Sequence, residues 1–324
     1  MSLVDELVEN LGMSFGDATR VIASAPARYF VFEIEKRTGG KRVIAQPARE
    51  LKAIQRYILR EKLSLFPVHD CATAYMQGHD IAKNALVHVA SRVILKMDFE
   101  SFFPSIKVND WVRFSRTHKR EEIEVKDIPL YSKVLFWGKE KNNKIPRCLS
   151  IGAPTSPALS NILLFGLDSE LSQYAQLLGV NYTRYADDIT VSADESAPIL
   201  EFERLARRAV AKQKSPVLRF NEAKRGFFTK TGRRTVTGLV ITPDQKISIG
   251  RDRKRKISAM LHHLSLGRLD DKDKGLLKGL LGFSISVEVS FVERLRMKYG
   301  NSLLDQALRY RVPPKGKQSH PSIN

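Results

Sequence analysis

Two cysteines in 324 residues, Cys71 and Cys148, are too few for a disulfide framework or a cysteine-built zinc site, and Cys71 reads as core. No apolar stretch approaches the ~20 residues that a membrane helix requires. The opening residues carry Asp5, Glu6 and Glu9 where a secretory leader needs basic and then apolar side chains. The expectation is a cytoplasmic protein with no membrane partner. Internal repeats and low-complexity tracts are also missing, which excludes solenoid and linker-like architectures. Acidic charge is the last shortage: 35 Asp and Glu stand against 54 Lys and Arg, a net charge of +19. A soluble chain this basic generally has a polyanion as partner.

The remaining composition is that of a folded protein, 43% hydrophobic and 27% charged, and the length allows two or three packed substructures. The positive charge is clustered. Residues 203–234 hold eleven Lys or Arg against Glu203 and Glu222, and residues 250–257 (GRDRKRKI) add a second block. Phe220, Phe227 and Phe228 interleave with the first run, the pattern of a surface that binds phosphates and stacks bases, although a solvated basic face would look the same. Residues 3–26 read as two short helices. The segment 27–47 reads as a hairpin with Lys36, Arg37, Lys41 and Arg42 at its tip, and a helix with Leu51, Ile54, Ile58 and Leu63 on one face follows. Residues 152–179 read as one long helix capped by Ser156 and closed by Gly179. A helix is expected across 198–213, a small β pair across 234–250, helices across 251–312 and a mobile tail beyond.

The stretch NYTRYADDIT (181–190) sets Asp187 beside Asp188 where strand residues would ordinarily pack. Asp is depleted in strands and adjacent carboxylates repel, so the pair calls for solvent or a cation. Asp98 ends a second, buried strand in SRVILKMDFESFFPSI. If the two elements share a sheet, three carboxylates converge at one edge. Hard oxygen donors suit Mg²⁺, and two such ions can activate an attacking oxygen and stabilise a leaving one in phosphoryl transfer. Turn and capping aspartates are abundant, so the pair alone is weak evidence; the spacing of all three carries the reading.

YADD (185–188) and MDFESFF (97–103) resemble the two carboxylate-bearing boxes of the reverse transcriptases. NALVH (84–88) and VTG (236–238) resemble elements of the bacterial retron branch of that family. The resemblance runs from about residue 28 to 300. It implies an α+β, right-hand polymerase with fingers and an antiparallel-sheet palm over residues 1–245, a helical thumb over 246–312 and a flexible tail over 313–324. It implies an RNA-directed DNA polymerase in which two Mg²⁺ ions are held by Asp98, Asp187 and Asp188, with Asp188 the least direct ligand, and in which Lys224 assists the leaving pyrophosphate. Lys41, Arg42, Phe99, Phe103, Gly152, Ala153, Pro154 and Tyr185 would bind dNTP substrate, Phe103 excluding a ribose 2′-hydroxyl. Asn84, His88, Val236, Thr237, Gly238, Arg251, Arg253 and Lys254 would bind RNA. Read from residue chemistry alone, His88 is a core histidine and 236–238 an ordinary strand end.

The resemblance further implies a structured noncoding RNA as template and primer, copied from an internal guanosine 2′-hydroxyl into branched RNA–DNA that serves with an effector protein in phage defence. About twelve residues remain after the thumb, too few for an RNase H domain, so removal of copied template would fall to a host enzyme. One departure stands out: Ile151 occupies the position before Gly152 where related enzymes often carry Gln, whose contacts near the nucleotide do not transfer. The rival readings are a group II intron or abortive-infection reverse transcriptase, and a catalytically idle RNA-binding protein on the same scaffold.

Overall fold

Capping chemistry sets the first elements. Ser2 and Asp5 close a reciprocal capping box at the start of α1 (Leu3–Leu11), and Gly12 ends it at φ 63°. The Ser14 hydroxyl accepts from the Asp17 amide to start α2 (Phe15–Ser24). A computed structural model describes residues 2–36, 39–118, 123–140, 142–229 and 232–311; Arg37 and the tail expected over 313–324 lie outside the described residues. The order continues with β1 (Tyr29–Glu35), β2 (Lys41–Pro47), α3 (Arg49–Glu61), α4 (Ile81–Leu86), β3 (Val93–Asp98), α5 (Phe102–Ser105), α6 (Val108–Thr117) and α7 (Ile128–Leu135). Next come α8 (Ser156–Leu163), α9 (Phe165–Leu178), β4 (Asn181–Tyr185), β5 (Asp188–Ala193), α10 (Ser196–Lys212) and β6 (Gly226–Phe228). The chain ends with β7 (Thr235–Val236), β8 (Leu239–Ile241), β9 (Ile247–Ser248), α11 (Arg251–Ser265), α12 (Asp271–Val287), α13 (Val289–Tyr299) and α14 (Asn301–Arg309).

These elements form two compact units, residues 1–80 with 91–229, and residues 81–90 with 230–324. The first unit is α+β. Its four-stranded sheet runs β4-β5-β3-β6, every pairing antiparallel, with β3 central. Val93, Ile94, Leu95 and Met97 of β3 are buried because this strand has neighbours on both edges and helices over its face. The apolar stripe of α3 (Leu51, Ile54, Tyr57, Ile58) and the large rings of Trp111, Tyr131 and Phe202 complete one continuous core. Each such side chain stabilises the fold by about 1.5–3 kcal/mol through burial. A separate hairpin pairs β1 with β2, Tyr29 opposite Pro47 through Glu35 opposite Lys41.

The second unit has its own core, built by Ile257, Leu261, Leu277, Leu281, Phe291, Leu295 and Leu304 of the terminal helices. Its small sheet is β7-β8-β9, three strands where the sequence suggests a pair, and α4 packs against all three. None of the described helices is long and apolar enough to cross a membrane.

The long helix expected over 152–179 is two helices that break at Leu164 (φ −94°, ψ 1°), and the first starts at Ser156, so Thr155 occupies the cap position. Gly179 does close the second at φ 64°. The break sets Asn161 of α8 and Asp168 of α9 around one buried arginine, Arg184.

Candidate active site

Backbone register brings the carboxylates together. In the β3–β5 ladder Asp98 lies directly opposite Asp188. In the β4–β5 ladder Tyr185 faces Asp188, which leaves Ala186 and Asp187 as a two-residue hairpin turn. Ala186 takes φ 58°, a left-handed conformation that costs a non-glycine residue about 1–2 kcal/mol. Both turn carbonyls are held: the Phe99 amide donates to Asp187 O at 3.1 Å, and Arg184 Nη1 donates to Ala186 O at 3.0 Å. Two more residues near the carboxylates sit at positive φ, Tyr75 (65°) and Ser101 (45°), and such strain gathers where a site must be pre-arranged.

Burial raises the Asp187 carboxyl above its ordinary pKa, and the charge of Asp98 adds to this against the pull of Lys224 and Arg42. Burial likewise pushes Asp188 up to about 7, opposed by Lys96 and reinforced by a hydrogen bond shared with Asp98. Asp188 therefore faces Asp98 across the ladder, while Asp187 lies in the adjoining turn. Lys224 ends a short 3₁₀ turn just before β6, and its Nζ donates to both Asp98 oxygens, at 2.9 and 2.8 Å. Burial pulls the Lys224 ammonium down, but its bonds to Asp98 and the charges of Asp187 and Asp188 carry its pKa above normal. The ammonium thus neutralises part of the carboxylate cluster. Among the described residues no three acid, imidazole or thiol groups stand close enough to form a ready-made metal cage. The donor chemistry nevertheless fits a hard divalent cation: carboxylate oxygens only, desolvated, facing across one sheet edge and resisting joint ionisation without added positive charge.

The other residues singled out from sequence divide into several environments. Lys41 is exposed and pairs with Glu33 at 2.8 Å, whereas the exposed Arg42 contributes positive charge at Asp187. Phe99 is 1% exposed and stacks between Phe102 and Phe220, so its ring serves the core. Phe103 is half-buried, edge-on to the buried Phe102. Gly152 (φ 126°) is needed for a close approach to β2: an added Cβ would meet Ala45 O at 2.9 Å, beside the Ala45 amide's bond to Ile151 O. Ala153 is buried and Pro154 half-buried. The Tyr185 phenol is half-buried, its pKa raised by burial and by Asp80.

In the second unit Asn84, His88 and Val236 are wholly buried, and burial drops the His88 pKa to about 3. Thr237 (φ 47°) and Gly238 (φ 79°) form the β7–β8 turn; the Thr237 hydroxyl donates to Ile81 O at 3.1 Å and Arg253 Nη1 to Gly238 O at 2.8 Å. Lys254 is tied to Glu288 at 2.5 Å, while Arg251, Arg255 and Lys256 are exposed.

The basic run of 203–234 is less free than its composition suggests. Arg207 and Arg225 are bound to Glu203 and Glu222, and Phe220 and Phe227 pack against the core. Cys71 and Cys148 are buried, and burial lifts the Cys71 thiol to about 12. A cavity of about 500 Å³ among the helices, lined by Phe66, Phe114, Phe165 and Lys212, includes none of Asp98, Asp187 and Asp188. Sequence reasoning passed over Arg184, Asp168 and Asn161. An arginine inside a strand with buried neighbours was the available signal, because such a charge requires a partner.

Asp98 and Asp188 facing each other across an antiparallel sheet edge, with Asp187 in the adjoining turn of an α+β scaffold, suit the chemistry of the nucleotidyl-transferring polymerases. Residues 34–246 match the family model of reverse transcriptase (RNA-dependent DNA polymerase). The chain is 35% identical over 315 residues to the Retron Ec83 reverse transcriptase of Escherichia coli, covering 94% of this chain and 98% of that protein. It is 32% identical to the Retron Ec86 reverse transcriptase of Escherichia coli, over 89% of this chain and 87% of that one. The chain belongs to the retron reverse transcriptases and is an RNA-directed DNA polymerase. Its fold is also that of telomerase from Candida albicans, solved with a fragment of telomeric RNA: TM-score 0.52 at 14% identity, over 93% of this chain and 59% of the telomerase chain.

Proposed function

We propose that the protein copies part of a structured noncoding RNA into DNA, priming from an internal guanosine 2′-hydroxyl, and that Asp98, Asp187 and Asp188 hold the two Mg²⁺ ions required. The observation that carries this reading is the direct opposition of Asp98 and Asp188 across the β3–β5 ladder, with Asp187 in the adjoining turn. When bound, the ions would lower the pKa of the attacking hydroxyl and stabilise charge on the leaving pyrophosphate. The protein's own part is positional and electrostatic. The three carboxylates supply hard oxygen ligands from rigid backbone, Arg42 offers a cation to the triphosphate, and Phe103 limits space at the sugar's 2′ position. Lys224 would leave Asp98 as positive charge arrives and hold a proton near the departing pyrophosphate. The first unit corresponds in this reading to fingers and palm and the terminal helices to the thumb.

Arg251, Arg255 and Lys256 supply exposed positive charge for RNA phosphates, and the Thr237–Gly238 turn is the candidate reader of RNA shape. The branched product would act with an effector protein in phage defence, within the cytoplasm. The test is synthesis on the RNA encoded beside the gene with dNTPs and Mg²⁺, followed by digestion with a 2′-5′ debranching enzyme. A branched product that collapses to linear DNA is expected. Extension of annealed primers without any branched product would leave a polymerase of another bacterial class, and no extension at all would leave an RNA-binding scaffold.

A further inference from the structure

Arg184 is wholly buried, as is its partner Asp168. Its Nε and Nη2 donate to the two Asp168 oxygens at 2.7 and 2.5 Å, and its Nη1 donates to Asn161 Oδ1 at 3.1 Å and to Ala186 O at 3.0 Å. The backbone of the same residue is also engaged: its amide donates to Cys71 O at 2.7 Å, and its carbonyl accepts from the Thr73 amide at 2.9 Å. Asn161 Nδ2 in turn donates to Ala74 O at 2.9 Å, beside Tyr75 at its left-handed φ. The guanidinium therefore joins α8, α9 and the turn that carries Asp187, while the Arg184 backbone and Asn161 tie the 71–75 segment to them.

Stability alone gives no reason for this arrangement, since a buried ion pair is often replaced by apolar residues at no cost or with a gain. Geometry does. Ala186 is held in a conformation that alanine disfavours, and the Arg184 bond to its carbonyl fixes one end of the turn while the Phe99 amide fixes the other. We infer that Arg184 is a positioning residue: it sets the Ala186–Asp187 turn so that the Asp187 carboxylate stays aimed at the cation site shared with Asp98. The fork geometry of arginine is required, because a point charge cannot span Asp168 and Ala186 O together. The inference rests on reading Asp98, Asp187 and Asp188 as the metal-binding group.

The test is Mn²⁺ affinity by electron paramagnetic resonance, read beside primer extension, thermal midpoint and RNA affinity. The double variant Arg184→Met with Asp168→Leu removes the pair without leaving an orphan charge. It should stay folded and keep its RNA affinity, with a midpoint lowered because the buried Tyr182 hydroxyl and Asn161 Oδ1 each lose a partner, while Mn²⁺ affinity and extension rate fall by about 10- to 100-fold, the usual effect of losing a group that orients a ligand. Arg184→Lys keeps a charge opposite Asp168 and should show the same defect, toward the lower end. Should the double variant fail to fold, Arg184→Lys decides. A folded variant with wild-type Mn²⁺ affinity overturns the inference, and loss of fold in both variants makes Arg184 a structural residue and overturns it too. Asp187→Asn is the reference: if it leaves Mn²⁺ binding unchanged, the metal reading fails and this inference with it. Binding that depends on Asp187 but not on Arg184 overturns this inference alone.

Discussion

Two hairpin turns in this protein are built alike and occupied differently. Ala186–Asp187 joins β4 to β5, and Thr237–Gly238 joins β7 to β8; each has two residues, each places a non-glycine residue at positive φ, and in each an arginine donates to a turn carbonyl. The first carries a carboxylate whose pKa burial raises, its arginine is wholly buried, and the adjacent Asp188 is raised by burial as well. The second carries a hydroxyl and a glycine, its arginine comes from the basic helix α11, and exposed cations lie along that helix. The same backbone device thus sits in opposite electrostatic surroundings. In the proposed reading one turn serves a cation and the other a polyanion.

The sharpest break in this comparison is Asp187→Asn. Removing one carboxylate from the first turn should lower primer extension by at least about 10²–10³-fold, the scale of losing a preorganised electrostatic contact, while RNA affinity stays at the wild-type value. Equal loss of both activities would show that the two turns do not divide the work.

Phe103→Ala probes the same sheet edge more gently. The half-buried ring should be removable without unfolding, and the preference for deoxyribonucleotides, taken as a ratio of kcat/KM values, should fall by about 10- to 200-fold. An unchanged ratio would remove Phe103 from the site.

For the second turn, Thr237→Ala is the cleaner probe, because Val236 is wholly buried and its replacement would disturb the small sheet. RNA-primed synthesis on the cognate RNA should fall about tenfold, the equivalent of one lost contact, while extension of an annealed DNA primer is spared. A parallel fall in both would mean that the Thr237 hydroxyl serves only its bond to Ile81.

The smallest effect is a pH dependence that distinguishes the acidic turn from the basic one. With Asp188 raised to about 7, the folded metal-free protein keeps a proton that the unfolded chain, with an ordinary carboxyl near 4, has already lost. Stability from this site is therefore fully present below about pH 4 and declines as pH rises toward 7. In EDTA the thermal midpoint should fall from pH 5 to 7.5, and Asp188→Asn should flatten that slope. Because metal binding requires the ionised form, extension at limiting Mg²⁺ should rise over the same interval and its midpoint should move to lower pH as Mg²⁺ is increased. A flat profile in both measurements would contradict the raised carboxyl.

Much of the first turn was legible because its information is local. Strand-like runs on either side of the aspartate pair specify two strands and a tight turn, expected at Asp187–Asp188 and found one residue earlier at Ala186–Asp187, and the run ending at Asp98 specifies a buried strand. Gly179 closes its helix where expected, and Gly39 and Gly40 take positive φ just before β2. The basic run at 203–234 was legible as composition but not as surface, since Arg207 and Arg225 meet glutamates that only folding brings within reach. The family resemblance implied a substrate contact for Phe99, yet its ring is stacked in the core between Phe102 and Phe220.

By itself, then, the sequence determined the strands of the central sheet that carry Asp98 and Asp188, the neighbouring place of Asp187, the excess of positive charge and the family that these motifs define, all properties of residues close in the chain. Tertiary structure decided what holds those residues in place. The break at Leu164 that lets Asn161 and Asp168 reach Arg184, the grip of Lys224 on Asp98 across 126 positions, and the packing of α4 beneath the Thr237–Gly238 turn all join residues distant in sequence. Local periodicity fixes which face a side chain takes, but a hydrogen-bond partner is chosen only when separate elements pack and a buried charge must be satisfied.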